Sequence, residues 1–218
     1  MATSCKMRVL VVDGDPLTLL GLAASLADVK GCHVCGAVGS ARSARVLFGK
    51  ERVQFLVMEY PLPGDDGLGL MHDFLHAQPA AHIVVIVNFD DRPMLERLLT
   101  AGAQAVVHRS DAPGALASAF ASAMDGARFL SPHATQSMLA SMARKSGGKR
   151  IGDAALLSER EFEVFFAIAH KLGPKAIAER LSISIKTVET HKKSIKEKLG
   201  IVTAAELQKR ADRWLAAG

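Results

Sequence analysis

Five times within the first 130 residues, a short apolar run is followed by a segment with helical periodicity, and this alternation limits the fold more than any other feature. The runs are Arg8–Val12, His33–Val38, Gln54–Met58, His82–Val87 and Ala105–Val107. Between and after them lie the helical patterns Leu17–Ala27, Ala41–Gly49, Leu68–Ala77, Asp91–Ala101 and Gly114–Ala127. Near-continuous β-branched runs mark strands buried on both faces, and each helix between them is a crossover. The expected fold is therefore α/β, a flavodoxin-like doubly wound sheet of five parallel strands. In such sheets functional groups gather at the carboxyl ends of the strands. Here those ends are Asp13, Glu59, Val87 and Arg109.

After Phe129-Leu130-Ser131-Pro132 the character changes. A connecting helix over His133–Arg144 is expected, and Ser146-Gly147-Gly148-Lys149 reads as a flexible linker. From Leu156 onward the pattern is all helix. The expected boundaries are residues 1–130, a linker over 131–152, and a small all-α domain over 153–218. Charge follows the same division. Residues 149–218 hold 14 Lys and Arg against 9 Asp and Glu, whereas residues 1–148 hold 13 of each. The net charge of +5 thus belongs to the last third. That points to an anionic partner, nucleic acid or a membrane surface.

Within the last third, Pro174 opens a short helix, Lys175–Leu181, and a tight turn follows. Ser184 caps a second helix, Ile185–Leu199, which Gly200 ends. Two short helices so connected match a helix-turn-helix. Val188, Ile195 and Leu199 recur on one face and can pack inward. Lys186, Glu189, Thr190, Lys192, Lys193 and Lys196 project elsewhere, as a helix entering a major groove requires. From spacing alone, a solvated basic helix on an unrelated bundle is the alternative.

The stretch Leu157-Ser-Glu-Arg-Glu-Phe-Glu-Val, then Ile177-Ala-Glu-Arg-Leu-Ser-Ile-Ser, then Thr187-Val-Glu-Thr-His-Lys-Lys-Ser-Ile-Lys-Glu-Lys-Leu-Gly resembles the LuxR-type helix-turn-helix. The resemblance implies that Glu189, Thr190 and Lys193 face the bases. It implies that Lys175, Thr187, His191 and Lys196 contact or position the DNA backbone, with Lys186 and Lys192 beside them. The final helix of that family often forms a dimer seam. Here Ala204, Leu207, Ala211 and Leu215 give it an apolar stripe, with Trp214 beside it. Packing of the stripe on its own domain is an equal reading.

Residues 7–130 resemble the receiver domain of two-component response regulators. Val9-Leu-Val-Val-Asp-Gly-Asp-Pro is similar to its first strand and acidic turn, Leu62-Pro-Gly-Asp-Asp-Gly-Leu to the loop after its third strand, and Phe89-Asp-Asp and Ala101-Gly-Ala to the region of its fourth helix. Together the two halves look like the NarL/FixJ class, a sequence-specific transcriptional regulator rather than an enzyme. Receiver chemistry needs an aspartate nucleophile, carboxylates around Mg²⁺, and a hydroxyl and a cation that read the phosphoryl oxygens. This chain departs at nearly every such place. Gly14 fills the second acidic position beside Asp13, and Glu59 replaces the acceptor aspartate. Val87 replaces the hydroxyl, Arg109 the lysine, and Val106 the usual aromatic. Asp15 remains, away from the usual metal-binding position. Regulation without phosphorylation is the expectation. Two readings of Glu59 stand: a built-in phosphate mimic paired with Arg109, or a remnant on a scaffold. Phosphorylation at another residue, Asp13 or Asp15, is the enzyme-like alternative. Acting as an auxiliary partner of another transcription factor is a third.

Cys32-His33-Val34-Cys35 offers metal-ligating atoms, but residues three apart on a strand point to opposite faces and no second ligand pair follows. No metal and no cofactor is expected. Three cysteines, no signal segment, and apolar runs such as Ile83–Val87 that are far too short to cross a bilayer fit a cytoplasmic chain without membrane association. The partners expected are double-stranded DNA and a second copy of the chain, with RNA polymerase or another regulator beyond them.

Overall fold

The computed structural model describes residues 7–62, 65–88, 92–111, 114–143, 156–181 and 183–216. Phe89-Asp90-Asp91, Pro63 and Gly64 of the receiver-like loops, and the Ser146–Lys149 linker reading, lie outside the described residues.

Each apolar run becomes a strand. They are β1 (Met7–Val12), β2 (Cys32–Val38), β3 (Phe55–Tyr60), β4 (His82–Val87) and β5 (Ala105–His108). The intervening segments form α1 (Pro16–Ala27), α2 (Ala41–Phe48), α3 (Gly67–Ala77), α4 (Arg92–Thr100) and α5 (Gly114–Met124). The sheet has six strands, not the expected five: β6 (Phe129–Leu130) pairs in parallel with β5 and closes the order β2-β1-β3-β4-β5-β6. Two residues carry no readable periodicity. What fixes them is tertiary: the Phe129 amide donates to the Gln104 carbonyl at 2.9 Å and the Ser131 amide to the Val106 carbonyl at 3.0 Å. So short an edge strand offers little for another chain to pair with.

The central strands β1, β3, β4 and β5 are buried on both faces, as parallel sheets are, whereas the edge strands β2 and β6 are only half-buried or exposed. In β1, Val9, Leu10, Val11 and Val12 are all inaccessible. Val9 and Val11 join Phe55, Val57, Val84 and Ile86 beneath α1 and α5, which share that face of the sheet. Phe55 and Phe120 stack there with ring centroids 4.4 Å apart. Across the sheet, α2 and α3 meet through Phe48 and Phe74, edge to face at 5.4 Å. Side-chain caps fix where helices begin. Asp15 accepts from the Thr18 amide at 2.8 Å, with Pro16 at the first position of α1, and Ser40 and Asp66 do the same for α2 and α3.

The chain divides into two compact units, Met1–Ala140 and Ser141–Gly218. After β6 the chain forms α6 (Pro132–Ala143), where the sequence pattern predicts His133–Arg144. The second unit holds α7 (Glu159–Ala169), α8 (Pro174–Leu181), α9 (Ile185–Leu199) and α10 (Ala204–Ala216). Its core closes on Trp214, which Phe162 and Phe165 meet edge to face at 5.5 and 5.6 Å. Ser158 and Glu161 form a capping box on α7. Gly200 ends α9 at φ +64°, a left-handed conformation suited to glycine.

Phe120→Ala should lower the unfolding free energy of the N-terminal unit by about 3–5 kcal/mol, because a stacked, inaccessible ring leaves a cavity. Urea titration followed by circular dichroism measures it, and a loss under about 1 kcal/mol would contradict this packing.

Candidate functional site

Two places concentrate polar side chains. The first lies at the carboxyl ends of β1, β3 and β5. Asp13 follows β1 and is wholly inaccessible. Its Oδ1 accepts from the Asp15 amide at 2.8 Å, which holds the turn that contains Gly14. Asp15 itself is taken up in capping α1, and the Thr18 amide keeps its carboxyl below the ordinary range. Glu59 lies inside β3, which runs two residues beyond the Gln54–Met58 pattern, and its side chain is 12% exposed. Arg109 leaves the end of β5, with its amide held by the Val87 carbonyl at 2.7 Å. Its Nη2 donates to Glu59 Oε1 and reaches Asp13 Oδ2 at 3.4 Å. Val87 and Val106 are buried, and neither brings a polar atom to the site.

One guanidinium therefore serves two carboxyl groups. Burial, then the neighbouring Asp13, raises Glu59 to about 7 from its ordinary 4.5, and the Arg109 charge only partly opposes this. Glu59 is therefore only partly ionised at neutrality, with Arg109 beside the charge that remains. The donor set does not fit a divalent cation. Gly14 supplies no carboxylate, Asp13 Oδ2 and Glu59 Oε1 already converge on Arg109, and Asp13 Oδ1 accepts from the Asp15 amide.

The second place is α9 and its supports. Val188 and Ile195 are inaccessible and Leu199 is half-buried, which sets the helix's inner face. Opposite them Lys186, Glu189, Thr190 and Lys193 are exposed. Thr187, His191, Lys192 and Lys196 flank this face and are half-buried, and Lys175 is exposed at the start of α8. Ser184 caps the helix by accepting from the Thr187 amide at 3.0 Å. Lys192 pairs with Glu189 at 2.7 Å, and Lys196 reaches the Val202 carbonyl at 3.5 Å. Burial, followed by the Arg160 charge, lowers His191 from 6.5, so it is neutral at pH 7.

Sequence reasoning missed the residue that holds this helix. Glu161 of α7 accepts from Lys198 Nζ at 2.6 Å, from Ser194 Oγ at 2.6 Å and from its own cap, the Ser158 amide, at 2.7 Å. Burial raises its pKa, but these hydrogen bonds outweigh burial and pull it down to about 2. Its neighbour Arg160 donates to the last carbonyl of α8, Leu181, at 2.6 Å and pairs with Glu163 at 2.7 Å. One turn of α7 thereby ties both helices of the pair. The capping-box spacing at Ser158 and Glu161 was legible, but the reach to Lys198 was not.

The expected seam needs correction at two residues. Leu207 and Ala211 are 1% and 0% exposed and pack inside their own domain, so they offer no surface to a second protomer. The reason is Trp214, whose ring draws that face of α10 onto α7. Ala204 is exposed, and the Leu215 side chain lies outside the described residues. Cys32 and Cys35 are free thiols. A register shift in β1–β2 lets Cys35 donate to the Val9 carbonyl at 3.3 Å. Among the described residues no helix is long and apolar enough to cross a membrane.

Comparisons with known proteins meet this geometry. The family described as the response regulator receiver domain matches residues 9–121, and that described as bacterial regulatory proteins, luxR family, matches residues 155–211. The chain is 30% identical over 203 residues to response regulator GacA of Pseudomonas aeruginosa, covering 92% of this chain and 93% of that protein. It is 27% identical over 201 residues to response regulator UvrY of Escherichia coli, covering 92% and 91%. Among solved structures, response regulator RcsB of Salmonella typhimurium shares the fold, with a TM-score of 0.65 at 24% identity over 96% of this chain and 98% of that one.

Two pH dependences follow, with opposite signs. Glu161 is depressed from 4.5 to about 2, so its contribution is present above pH 4.5 and is lost as pH falls toward 2. Glu161→Gln should cost about 2–3 kcal/mol at pH 7, and parent and variant should converge near pH 2 in denaturant titrations. Glu59 is raised to about 7, so the folded state holds a proton that the unfolded chain has lost between pH 4.5 and 7. Stability from this group falls as pH rises through that window. Glu59→Gln should therefore raise the Tm of the N-terminal unit at pH 8 and leave it nearly unchanged at pH 5; a difference that does not vary with pH would contradict the raised pKa.

Proposed function

The chain belongs to the two-component response regulators that carry a luxR-type DNA-binding domain, and on that premise we propose that it binds double-stranded DNA as a homodimer without phosphorylation of its receiver. We assign the receiver to residues 1–130, the connection to 131–152 and the DNA-binding domain to 153–218. The observation that carries phosphate independence is the Arg109 guanidinium, which engages Glu59 and Asp13 together. Acyl-phosphate chemistry needs an aspartate nucleophile and compensation of the charge that gathers on the transferring group. Glu59 in the acceptor position, Gly14 beside Asp13 and an arginine already bound to both carboxyls argue against it. The Arg109–Glu59 contact also favours a second reading, in which this pair holds the receiver in a phosphorylated-like arrangement. Against it stand the raised pKa of Glu59, which leaves it only partly charged at neutrality, and the apolar Val87.

For DNA, the exposed face of α9 supports Glu189, Thr190 and Lys193 as base-facing side chains, with Lys186 beside them. Lys175, Thr187, His191, Lys192 and Lys196 flank the helix where phosphates would run. A neutral His191 can donate one hydrogen bond to a phosphate but adds no charge. RcsB, which shares the fold, has been observed as dimers bound to DNA, and this supports a dimer here.

Promoter affinity should be unchanged by acetyl phosphate with Mg²⁺; a reproducible tightening of the native protein would refute phosphate independence. If Glu59 acts as a mimic, Arg109→Ala weakens DNA binding by the full-length chain, whereas on a scaffold it is silent. Lys193→Ala should weaken specific binding by about 1–3 kcal/mol. Lys196→Ala should weaken all sequences alike and flatten the salt dependence. Anisotropy titrations at several salt concentrations separate the two, and parental affinity in both variants would sink the assigned face.

A further inference from the structure

The outer face of α3 carries two imidazoles. His72 and His76 stand four positions apart in His72-Asp-Phe-Leu-His76, so one lies a turn above the other. The helix beneath them is well anchored. Asp66 caps its start, and Leu70, Met71 and Phe74 bury its inner face. The His72 side chain is 80% exposed, and His76 is exposed in the last turn. Their rings are parallel within 1°, with centroids 6.5 Å apart. Exposed to this degree, neither ring packs the core.

We propose that His72 and His76 form a chelate for one divalent late transition-metal ion, of the copper, nickel and zinc class. The spacing supplies both nitrogens, because histidines at i and i+4 present their rings to one point beside a helix. An ion bonded to both at about 2.1 Å needs the nitrogens on the order of 3–3.5 Å apart. Turning two exposed rings about their side-chain torsions brings them there, and no packing opposes the turn. The donor type selects the ion. Neutral imidazole suits Cu²⁺, Ni²⁺ and Zn²⁺, whereas Mg²⁺ and Ca²⁺ call for oxygen ligands. Asp73 stays outside the chelate, because Arg45 Nε holds its Oδ2 at 2.7 Å. Its Oδ1 stands 3.9 Å from His72 Nδ1, which leaves Nε2 of that ring open to the ion. Among the described residues no group of three or more His, Cys, Asp and Glu side chains is placed to hold a metal ion, so water takes the remaining coordination positions here. A second pair of imidazoles, His108 and His133, stacks face to face with centroids 4.0 Å apart, and His108 Nδ1 is engaged by Ser110 Oγ at 2.7 Å. Holding an ion there means breaking the stack and that hydrogen bond, whereas His72 and His76 give up only water. The chelate exists only while the last turn of α3 is helical, so the bound ion favours the folded N-terminal unit.

The test uses the full-length chain without a histidine tag. Ni²⁺ is the probe, since thiolates select zinc and copper(I). Equilibrium dialysis should find one Ni²⁺ bound per parent chain. His72→Gln and His76→Gln, each melting as the parent does without metal, should each weaken this binding about a hundredfold, the cost of losing one arm of a chelate. His108→Gln should leave it unchanged. Ni²⁺ should raise the melting temperature of the parent and of neither His72→Gln nor His76→Gln. His72→Ala and His76→Ala serve if a glutamine variant melts early. A parent that binds no Ni²⁺, parental affinity in either single variant, or a parental melting temperature that Ni²⁺ does not move overturns the proposal.

Discussion

A carboxylate buried at the end of a central strand cannot stand alone, and in this protein Arg109 is what lets Asp13 remain there. Burying an ion without a partner costs several kcal/mol, so the wholly inaccessible Asp13 requires both the Asp15 amide and a cation within reach. That demand orders the neighbourhood. The turn through Gly14 is held by Asp13, α1 starts where Asp15 caps it, and Arg109 projects from β5 across β3. Glu59 then finds a partner at a place where burial would otherwise force it neutral. Its pKa of about 7 reflects this compromise between desolvation and the guanidinium.

The DNA-binding domain solves a related problem in the opposite direction. Glu161 is also buried, yet three donors converge on it and hold it ionised down to about pH 2. Burial is the first cause of the rise at Glu59, whereas at Glu161 the hydrogen bonds outweigh it. Glu161 has a lysine, a hydroxyl and a backbone amide to itself, whereas Glu59 shares one arginine with a second acid. One acid therefore serves as a rigid tie between α7 and α9. The other sits at the carboxyl ends of the receiver strands, where its charge varies with pH near neutrality.

Kinship with response regulators is compatible with the phosphate independence proposed above because fold and reaction rest on different residues. The sheet depends on apolar strands buried on both faces, and β1, β3, β4 and β5 supply them. Phosphoryl transfer depends on a few polar atoms at the strand ends, where this chain carries Gly14, Glu59, Val87 and Arg109.

By itself the sequence determined the α/β alternation, the helix-turn-helix with its Ser184 and Gly200 caps, and the identity of the four residues around Asp13, because period, capping and residue type are local properties. It could not supply β6, since two residues carry no period and their pairing depends on β5 lying alongside. Nor could it decide the stripe of α10. Leu207 and Ala211 fit a seam or a core equally well in one dimension, and the position of Trp214 against Phe162 and Phe165 closed them inward. The Glu161–Lys198 tie spans 37 positions, and the Arg109 contact with Asp13 spans 96. Such contacts are set by which strand and helix ends the packing brings together. Only the tertiary structure therefore decided that one arginine would serve two acids, and that one glutamate would hold the DNA-facing helix.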